Sequence, residues 1–226
     1  MIGGAFADST VTRQQNGTVI VTGADGTDRL IGVEKIRFND VEIFADGRNN
    51  APVVANETAE AAEDGGAVSI DVLANDLDAD GDTLTVTAVG GALHGTVELI
   101  DGIVHFTPEP GFGGEASFTY TVGDGRGDFS IGTATVAVSA VDDAIWGDDG
   151  GDDALFGGAG SDSLYGQGGA DSLRGGIGDD LLEGGGGDDV YSFDLGDGSD
   201  LIRDFDGEVT TETYTVNGGY WVVAGE

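Results

Sequence analysis

Residues 148–192 read DDGGDDALF, GGAGSDSLY, GQGGADSLR, GGIGDDLLE, GGGGDDVYS, which is five consecutive blocks of nine residues without a gap. Most blocks carry glycine at positions 1, 2 and 4, aspartate at position 6 and an apolar residue at position 8. One apolar residue in nine is too few to form a core unless successive blocks stack on each other. The period therefore predicts a stacked structure whose inner row is formed by Leu155, Leu164, Leu173, Leu182 and Tyr191.

Stacking also superimposes the aspartates of successive blocks. Neighbouring strands lie ~4.8 Å apart, and two carboxylates at that distance repel by roughly 3 to 4 kcal/mol at an effective dielectric near 20. Arg174 is the only basic residue in the stretch, so the stack is expected to need a cation between its layers. The chain has no cysteine and the stretch has no histidine. Carboxylate and carbonyl oxygens remain, and they suit Ca2+ better than Zn2+ or Mg2+.

The blocks match the nonapeptide G-G-x-G-x-D-x-U-x, and the chain resembles the repeats-in-toxin (RTX), haemolysin-type calcium-binding family on these residues. The resemblance implies a parallel β-roll over residues 142–207, with two blocks per coil and several Ca2+ ions between blocks n and n+2. It implies metal ligation by Asp153, Asp171 and Asp189 on one side, by Asp162, Asp180 and Asp200 on the other, and by the glycines Gly158, Gly160, Gly169, Gly176, Gly178, Gly185 and Gly187. A flexible, solvated linker is the alternative for this composition.

The first block departs from the pattern. Asp148 and Asp149 replace its first two glycines. We interpret Gly151 as an insertion that lets Asp143-Ala144-Ile145 begin an earlier turn.

The net charge of −35 argues against nucleic acid and anionic membranes as partners and favours multivalent cations. No apolar run is long enough to span a membrane. The first residues, MIGGAFADST, lack the basic and apolar regions of a secretory signal peptide. The RTX resemblance implies type I secretion with an uncleaved C-terminal signal, so we expect a protein that is secreted, extracellular or on the bacterial cell surface.

Residues 49–141 contain seven strand-like runs separated by turn signals, which predicts a seven-stranded β-sandwich and an all-β chain. The runs are residues 53–56, 68–72, 83–89, 95–100, 103–107, 116–123 and 132–140. The segments VSIDVLANDLDADGDTLTV and DGIVHFTPEPGFGGEASFTYTVGDG resemble the cadherin-like, immunoglobulin-like repeats of large bacterial surface adhesins. This resemblance implies an extracellular spacer or adhesion module that is often calcium-dependent.

Two motifs inside this module suggest binding. Asp76, Asp78 and Asp80 alternate along an acidic turn, which indicates a second cation site, although Thr87 stands where an EF-hand needs its glutamate. An Asp-rich solvated turn is the alternative interpretation. Arg126-Gly127-Asp128 is a tripeptide that some adhesive proteins present to integrins, but three residues also recur by chance.

The two ends of the chain are less regular. Residues 1–48 are β-rich, with a hairpin signal at Gln15-Asn16-Gly17, and the pattern DGTDRLIGVEKIRFND resembles the segment that closes an RTX region. A self-contained small β-domain is the alternative. Residues 208–226 contain a possible hairpin around Asn217-Gly218-Gly219, and they could instead act as a secretion signal. We expect a monomer or a part of a longer chain.

No catalytic residues are predicted. His94 and His105 are the only histidines, and neither is expected to have a serine or cysteine partner for nucleophilic catalysis. The leading hypothesis is a secreted, calcium-binding, non-enzymatic protein with an adhesin-like role and a cell-surface or carbohydrate receptor. The first alternative is the calcium-dependent secretion and stability module of a larger enzyme or toxin. A carbohydrate- or ice-binding module is a further one.

Overall fold

The computed structural model describes residues 5–204, 212–217 and 222–224. Within these ranges the chain forms β-strands, and its only helical segment is a short 3-10 turn, Phe6–Asp8. The prediction of an all-β protein is therefore confirmed. The strands form three successive groups, which we call the N-terminal segment (residues 5–48), the central domain (residues 49–141) and the roll (residues 142–204).

The N-terminal segment contains the strands β1 (Thr10–Arg13), β2 (Thr18–Gly23), β3 (Gly26–Ile31), β4 (Lys35–Arg37) and β5 (Glu42–Phe44). Strands β1 to β3 form an antiparallel sheet, and β4 pairs with β5. The predicted hairpin around Gly17 joins β1 to β2, and the Gly17 N–H donates to the Gln14 carbonyl at 3.0 Å. The core of this segment includes Phe38 and Ile43 and also Ala79 of the central domain, so the two parts pack together.

The central domain contains β6 (Glu57–Ala62), β7 (Val68–Ile70), β8 (Thr85–Leu93), β9 (Gly95–Ile100), β10 (Ile103–Pro108), β11 (Gly114–Gly123) and β12 (Phe129–Ser139). One sheet has the order β7-β10-β9 and the other has the order β6-β12-β11-β8. A shared core of alternating residues from both sheets fills the space between them, and Phe106 stacks on Phe118 with ring centroids 5.7 Å apart. Strand β6 is parallel to β12, whereas the other pairings are antiparallel.

The predicted first strand of this domain, residues 53–56, is wrong. Val53 makes only an isolated bridge to Leu77, and the strand begins four residues later as Glu57–Ala62. The sequence ETAEAA consists of residues with low β-propensity apart from its threonine, so pattern alone does not reveal it. Pairing with β12 along its whole length makes this segment a strand.

The roll contains β13 (Ala144–Trp146), β14 (Ala154–Ala159), β15 (Ser163–Tyr165), β16 (Ser172–Ile177), β17 (Leu181–Glu183), β18 (Asp189–Tyr191) and β19 (Ser199–Asp204). The odd-numbered strands stack in parallel in one sheet, and the even-numbered strands stack in a second. The chain thus crosses between the sheets once per block, which gives a β-solenoid of about three turns. Two blocks make one coil, as the RTX resemblance implies.

The inner row of the roll is its hydrophobic core. Leu164, Leu173, Leu182 and Tyr191 are fully buried, together with Ile202. Leu155 and Ile145 of the first coil are partly buried against the same cluster. Stacking therefore supplies the core that a single block lacks.

The predicted C-terminal hairpin is not formed by the strands that the structure describes there. Strand β20 (Glu212–Asn217) pairs antiparallel with β19, and β21 (Val222–Ala224) pairs antiparallel with β18. The two strands therefore belong to different sheets of the roll. Gly218 and Gly219 of the expected turn lie outside the described residues.

Candidate metal centres

An aspartate precedes or begins each short strand of the roll, and the parallel register aligns these aspartates into two ladders. The first ladder, along the odd-numbered strands, consists of Asp143, Asp162, Asp180 and Asp200. The second ladder, along the even-numbered strands, consists of Asp153, Asp171 and Asp189. The six aspartates singled out in the sequence thus lie in the ladders, and Asp200 is the neighbour of Asp180.

Each ladder uses one carboxylate oxygen to bind the backbone of the adjacent coil. The Asp153 N–H donates to Oδ1 of Asp171 at 2.9 Å, and the Asp171 N–H donates to Oδ1 of Asp189 at the same distance. In the first ladder the same bond measures 2.8, 2.8 and 3.1 Å in the pairs Asp143–Asp162, Asp162–Asp180 and Asp180–Asp200. Hydrogen bonds to a charged acceptor are among the stronger ones, so they fix the orientation of each carboxylate.

In four ladder aspartates the second carboxylate oxygen has no hydrogen-bond partner, whereas Oδ2 of Asp153 accepts the Asp148 N–H at 2.8 Å. The Oδ2 atoms of Asp162, Asp171, Asp180 and Asp189 are buried and accept no hydrogen bond. These residues are at most 2% exposed, so water does not solvate them freely. An unpaired buried charge costs several kcal/mol, which is why buried charges are normally paired or bound to a metal.

The Oδ2 atoms of the ladder aspartates lie close to the backbone of the glycine at position 1 of the same block. A Cβ atom added to Gly147 would lie 2.5 Å from Oδ2 of Asp153 and 2.7 Å from the carbonyl oxygen of Gly166. The same pair of oxygens, one carboxylate and one glycine carbonyl, recurs at Gly157 (Asp162 with Gly175) and at Gly166 (Asp171 with Gly184). A side chain at position 1 would fill this space, so the glycine keeps an oxygen-lined cradle open.

The glycines that the sequence analysis proposed as carbonyl ligands occupy positions 2 and 4. All seven have positive φ, from +101° at Gly185 to +148° at Gly178. In the stacked coils the carbonyl of one such glycine faces the Cα of its counterpart in the next coil, as Gly160 faces Gly178. A side chain is excluded there on both grounds, so these positions require glycine for the close stacking of coils.

The electrostatic environment of the ladders opposes negative charge. Burial raises the pKa of both Asp162 and Asp180 to about 6, and neighbouring carboxylates add to this effect. Burial also raises the pKa of Asp189 and of Asp200. The basic side chains of the roll that the structure describes pair on its outer surface, Arg174 with Asp194 and Arg203 with Glu183. The ladders therefore lack a protein cation that could neutralise them.

The residues present fit calcium. The convergent donors are carboxylate and carbonyl oxygens only, and calcium accepts several such ligands in adaptable geometry. Neither nitrogen nor sulfur ligands lie in the ladders, which disfavours zinc. The ladder aspartates with the position-1 glycine carbonyls are thus the residues that would hold the ions.

The repeat begins earlier than the regular blocks suggest, and the sequence analysis did not count Asp143 or Gly147 among the ligands. Asp143 precedes β13 and joins the first ladder, and Gly147 occupies position 1 of the block that follows. Gly151 is then an extra residue, and its N–H donates to Oδ1 of Asp148 at 2.7 Å. The extra residue makes this block ten residues long, so an unbroken nine-residue period does not reveal it. The sequence feature that could have revealed it is that Gly147 and Gly157 both begin a block.

The acidic turn of the central domain holds a different cluster. The carboxylates of Asp78, Asp80 and Asp82, which we call the junction cluster, have oxygens within 4.8 Å of one another. Oδ1 of Asp78 accepts the N–H groups of Asp80 at 2.7 Å and of Asp82 at 3.2 Å, and this curls the turn so that the three side chains meet. Oδ2 of Asp78 and Oδ2 of Asp82 are buried without partners.

The junction cluster also has counter-charges. Asp80 forms an ion pair with Arg13 of the N-terminal segment and accepts the Asn50 N–H at 2.7 Å. Asp82 forms an ion pair with Arg126 at 2.7 Å. The cluster therefore joins the N-terminal segment to the central domain, and two arginines already balance part of its charge.

Asp76 does not belong to the junction cluster, which corrects the grouping expected from the sequence. Its Oδ1 accepts the Ala55 N–H at 2.9 Å, and burial raises the pKa of its carboxyl. Burial and the charge of Asp76 raise the pKa of Glu57, whose Oε1 is buried without a partner. Since residue 76 precedes the curl of the turn, its side chain is directed into the base of the central domain.

The Arg126-Gly127-Asp128 tripeptide lies against the same junction. Arg126 pairs with Asp82, and Asp128 accepts a hydrogen bond from Asn49 Nδ2 at 2.8 Å. Oδ1 of Asp124 accepts the backbone N–H groups of all three residues of the tripeptide, at 2.7, 3.0 and 3.2 Å. Both charged side chains of the tripeptide thus have intramolecular partners.

His105 has a serine neighbour that the sequence analysis did not anticipate, although its role in catalysis stays untested. Ser69 Oγ lies 3.2 Å from His105 Nδ1, because the two residues are cross-strand partners on β7 and β10. Glu98 is the cross-strand partner of His105 on β9, but no ion pair joins them within the described chain. Ser69, His105 and Glu98 form a row on the outer face of the sheet, where Ser69 and Glu98 are exposed. The other histidine, His94, stacks on Phe112 with ring centroids 4.1 Å apart.

The described chain thus combines a two-sheet domain with a roll of parallel coils that are lined by aspartate ladders. Residues 49–138 match the family described as bacterial Ig domain. Residues 139–164, 148–182 and 165–202 match the family described as RTX calcium-binding nonapeptide repeat. The chain therefore carries a bacterial Ig domain followed by RTX calcium-binding repeats, and both resemblances drawn from the sequence are confirmed.

No curated protein matches the sequence. Among solved structures, a variant of the endo-fucoidan hydrolase MfFcnA4, from glycoside hydrolase family 107, is 17% identical with a TM-score of 0.30. The alignment covers 67% of this chain and 27% of that chain. The endo-fucoidan hydrolase MfFcnA9, of the same family, is 18% identical with a TM-score of 0.29, over 61% of this chain and 27% of that chain. At these scores the likeness carries no argument about function.

A search of the described residues for a helix of sufficient length and apolarity to cross a membrane finds none.

Proposed function

We propose that this protein is a secreted, non-enzymatic calcium-binding protein whose roll folds as it binds several Ca2+ ions. The observation that carries the proposal is the row of buried, unpartnered Oδ2 atoms in both ladders. The Oδ2 atoms of Asp162 and Asp171 each converge with a glycine carbonyl, and the basic side chains of the described roll pair with Asp194 and Glu183 instead. Bound calcium supplies the positive charge that these oxygens lack.

The ladder aspartates couple this binding to folding. In the unfolded chain their carboxylates are solvated and far apart, whereas stacking brings them together and buries them. Where calcium is scarce, as inside a cell, burial and repulsion favour the unfolded roll, which suits export. Outside the cell, where calcium is roughly millimolar, the ligand binding energy becomes folding energy.

For the central domain we propose a seven-stranded, cadherin-like sandwich with a structural or adhesive role at the bacterial surface. The bacterial Ig match and the two sheets around one core support this assignment. A cell-surface or carbohydrate receptor is the partner class that an adhesive role would need. The Ser69–His105 pair is not part of the proposed function. The Arg126-Gly127-Asp128 loop, whose charged side chains have intramolecular partners, is not part of it either.

The decisive experiment is a calcium titration of the full chain. The chain has two tryptophans, so the Trp221→Phe variant leaves Trp146, which stacks on Tyr165 across the first two coils with ring centroids 5.4 Å apart. We expect its fluorescence and the far-UV circular dichroism to change cooperatively with calcium but not with magnesium. A roll that is already folded in chelator, with no response to calcium, would refute the proposal.

The alternative is that the same calcium-dependent roll serves a larger secreted enzyme or toxin. This alternative includes the same calcium-coupled folding of the roll. The sequences encoded on either side of this chain distinguish it from the adhesin-like role. Further Ig-like repeats there would support the adhesin-like role, and a catalytic domain would support the alternative.

A further inference from the structure

The first coil of the roll has an open end. Strands β13 and β14 are the first strands of their sheets, so no earlier coil pairs with them. A bare strand edge presents unpaired N–H and C=O groups, and stacked-repeat proteins need a cap over such an end. In this chain one part of that end is covered, because Gly157, Gly158 and Ala159 at the end of β14 are buried.

The cover is the central domain. A Cβ atom added to Gly111 would lie 3.1 Å from the Cα of Gly158, and one added to Gly113 would lie 2.8 Å from the Cβ of Ala159. Both glycines belong to the connection between β10 and β11. Glycine at these two positions lets the connection lie directly on the first coil.

Glu63 makes the polar part of this contact. It follows β6, its side chain is only 2% exposed, and both carboxylate oxygens accept backbone hydrogen bonds. Oε1 accepts the Val141 N–H at 2.7 Å, and Oε2 accepts the Ala159 N–H at 3.1 Å. Ala159 ends the first strand of its sheet, where no preceding coil offers a carbonyl, so Glu63 takes the place of the missing acceptor.

The linker is built into the same contact. The Val141 N–H also donates to the Ala159 carbonyl at 3.1 Å, and the Glu63 N–H donates to the Ser139 carbonyl at 3.2 Å. In the part of the chain that the structure describes, Glu63 forms no ion pair, so its charge is held by backbone donors of the linker and the roll. The contact can form only when the linker and the first coil of the roll are both folded against Glu63.

We propose that the central domain is the N-terminal cap and folding template of the roll, with Glu63 as the positioning residue that joins them. Repeat structures grow by stacking each unit on a folded neighbour, and the first unit is the most costly to form. A prefolded cap supplies that neighbour for the coil of β13 and β14. The inference rests on the proposed calcium-coupled folding, and it adds that the central domain lowers the calcium concentration at which folding occurs.

The test is a calcium titration of the Glu63→Gln variant in the full chain, read by Trp146 fluorescence in the Trp221→Phe background. A glutamine offers one acceptor oxygen and places its amide NH2 group against the other N–H, so one of the two hydrogen bonds to residue 63 is lost. We expect the calcium midpoint to rise about two- to fivefold, while thermal unfolding of the central domain is unchanged. Glu60→Gln, an exposed residue on β6, is the matched control and is expected to leave both unchanged.

A second variant guards against misfolding of the first. Insertion of Gly-Ser between Ala140 and Val141 separates the cap from the roll without altering the buried carboxylate, and the midpoint should again rise. Unchanged midpoints in both variants would overturn the proposal.

A wild-type chain that does not respond to calcium would instead refute the proposed function. The cap is then judged by hydrogen exchange at the Val141 and Ala159 amides. Protection in the wild-type chain that is lost in Glu63→Gln supports the cap, and equal exchange in both refutes it.

Discussion

The roll ladders and the junction cluster are both rows of aspartates, yet they balance their charge in different ways. In the ladders, buried Oδ2 atoms have no partner, and the described arginines of the roll pair elsewhere. In the junction cluster, Oδ2 of Asp78 and of Asp82 also lack hydrogen-bond partners, but Arg13 pairs with Asp80 and Arg126 pairs with Asp82. The same residue type at regular spacing therefore creates a strong need for an external cation in one region and a weaker need in the other.

The difference shows that acidic spacing alone does not define a calcium site. Arg13 and Arg126 are distant in sequence from the junction cluster, and they reach it only in the folded chain. The ladders have no such partners because each block repeats nearly the same residues. In the ladders each further coil adds a carboxylate next to the previous one, so the repulsion between them grows with the number of coils. An acidic turn that occurs once can instead be balanced by one or two arginines.

The largest effect is expected when two carboxylates of the second ladder are removed. The Asp171→Asn/Asp189→Asn variant keeps the amide oxygen that accepts each backbone N–H but removes two buried charges. We expect the calcium response to fall sharply and the calcium-free roll to become more stable, by up to roughly 3 kcal/mol for one removed repulsion. Trp146 fluorescence under calcium titration and urea unfolding in chelator measure the two effects.

Asp152→Asn/Asp188→Asn is the control for this variant, because both residues occupy position 5 of blocks on the same side of the roll and are exposed. It should change little. An unaltered calcium response in the ladder variant would show that these carboxylates are not ligands.

The next largest effect is expected when a side chain fills the oxygen-lined cradle at a position-1 glycine. A Cβ atom in the Gly166→Ala variant would lie 2.6 Å from the carbonyl oxygen of Gly184 and would also contact Oδ2 of Asp171. Backbone in a stacked coil cannot move away easily, so we expect a loss of about 1 to 3 kcal/mol and a weaker calcium response. Gly186→Ala, with open space around its added Cβ, is the control, and equal behaviour of the two in calcium titrations would contradict the cradle.

A smaller effect tests the junction cluster. Arg13→Met removes the ion pair with Asp80 and the hydrogen bond to the Phe44 carbonyl at 2.5 Å, and we expect a loss of about 1 to 3 kcal/mol in the stability of the N-terminal segment. Since the ion pairs balance the wild-type cluster, chelator should change its thermal unfolding little. Calcium should partly restore the variant, because Asp80 is then unpaired.

Arg48→Met is the comparison for this variant, since the Arg48–Asp46 pair lies at the surface, where solvent screens it, and should contribute little to stability. If chelator destabilises the wild-type junction as much as the roll, the distinction between the two regions fails.

The smallest effect is a pH dependence of the calcium-free roll. Burial raises the pKa of Asp162 and Asp180 from 3.8 to about 6, so the folded roll binds more protons than the unfolded chain between these values. Its stability is therefore highest below about pH 4 and falls as the pH rises through about 6. Urea unfolding in calcium-stripped buffer should give a lower midpoint at pH 7 than at pH 5, and the opposite order would contradict the raised pKa values.

Much of the roll could be predicted because its information is local and repeated. The blocks predict the buried inner row and the aspartate rows, the RTX resemblance adds the two coil sides, and the structure has them. The first block was harder, since the insertion at Gly151 shifts the phase: the sequence predicts an earlier turn at Asp143 but does not identify Asp143 and Gly147 as site residues. The strand Glu57–Ala62 was missed for a different reason, because it depends on its partner rather than on its own propensity.

The sequence by itself determined that this chain forms an all-β protein with stacked, aspartate-rich coils, because a nine-residue period fixes both the turns and the register of stacking. Only the tertiary structure decided which charges are balanced. The Arg13–Asp80 pair spans 67 residues and the Glu63–Ala159 bond spans 96, and no local pattern encodes such distances. The physical reason is that electrostatic balance depends on which side chains meet and are buried together, and folding alone sets that.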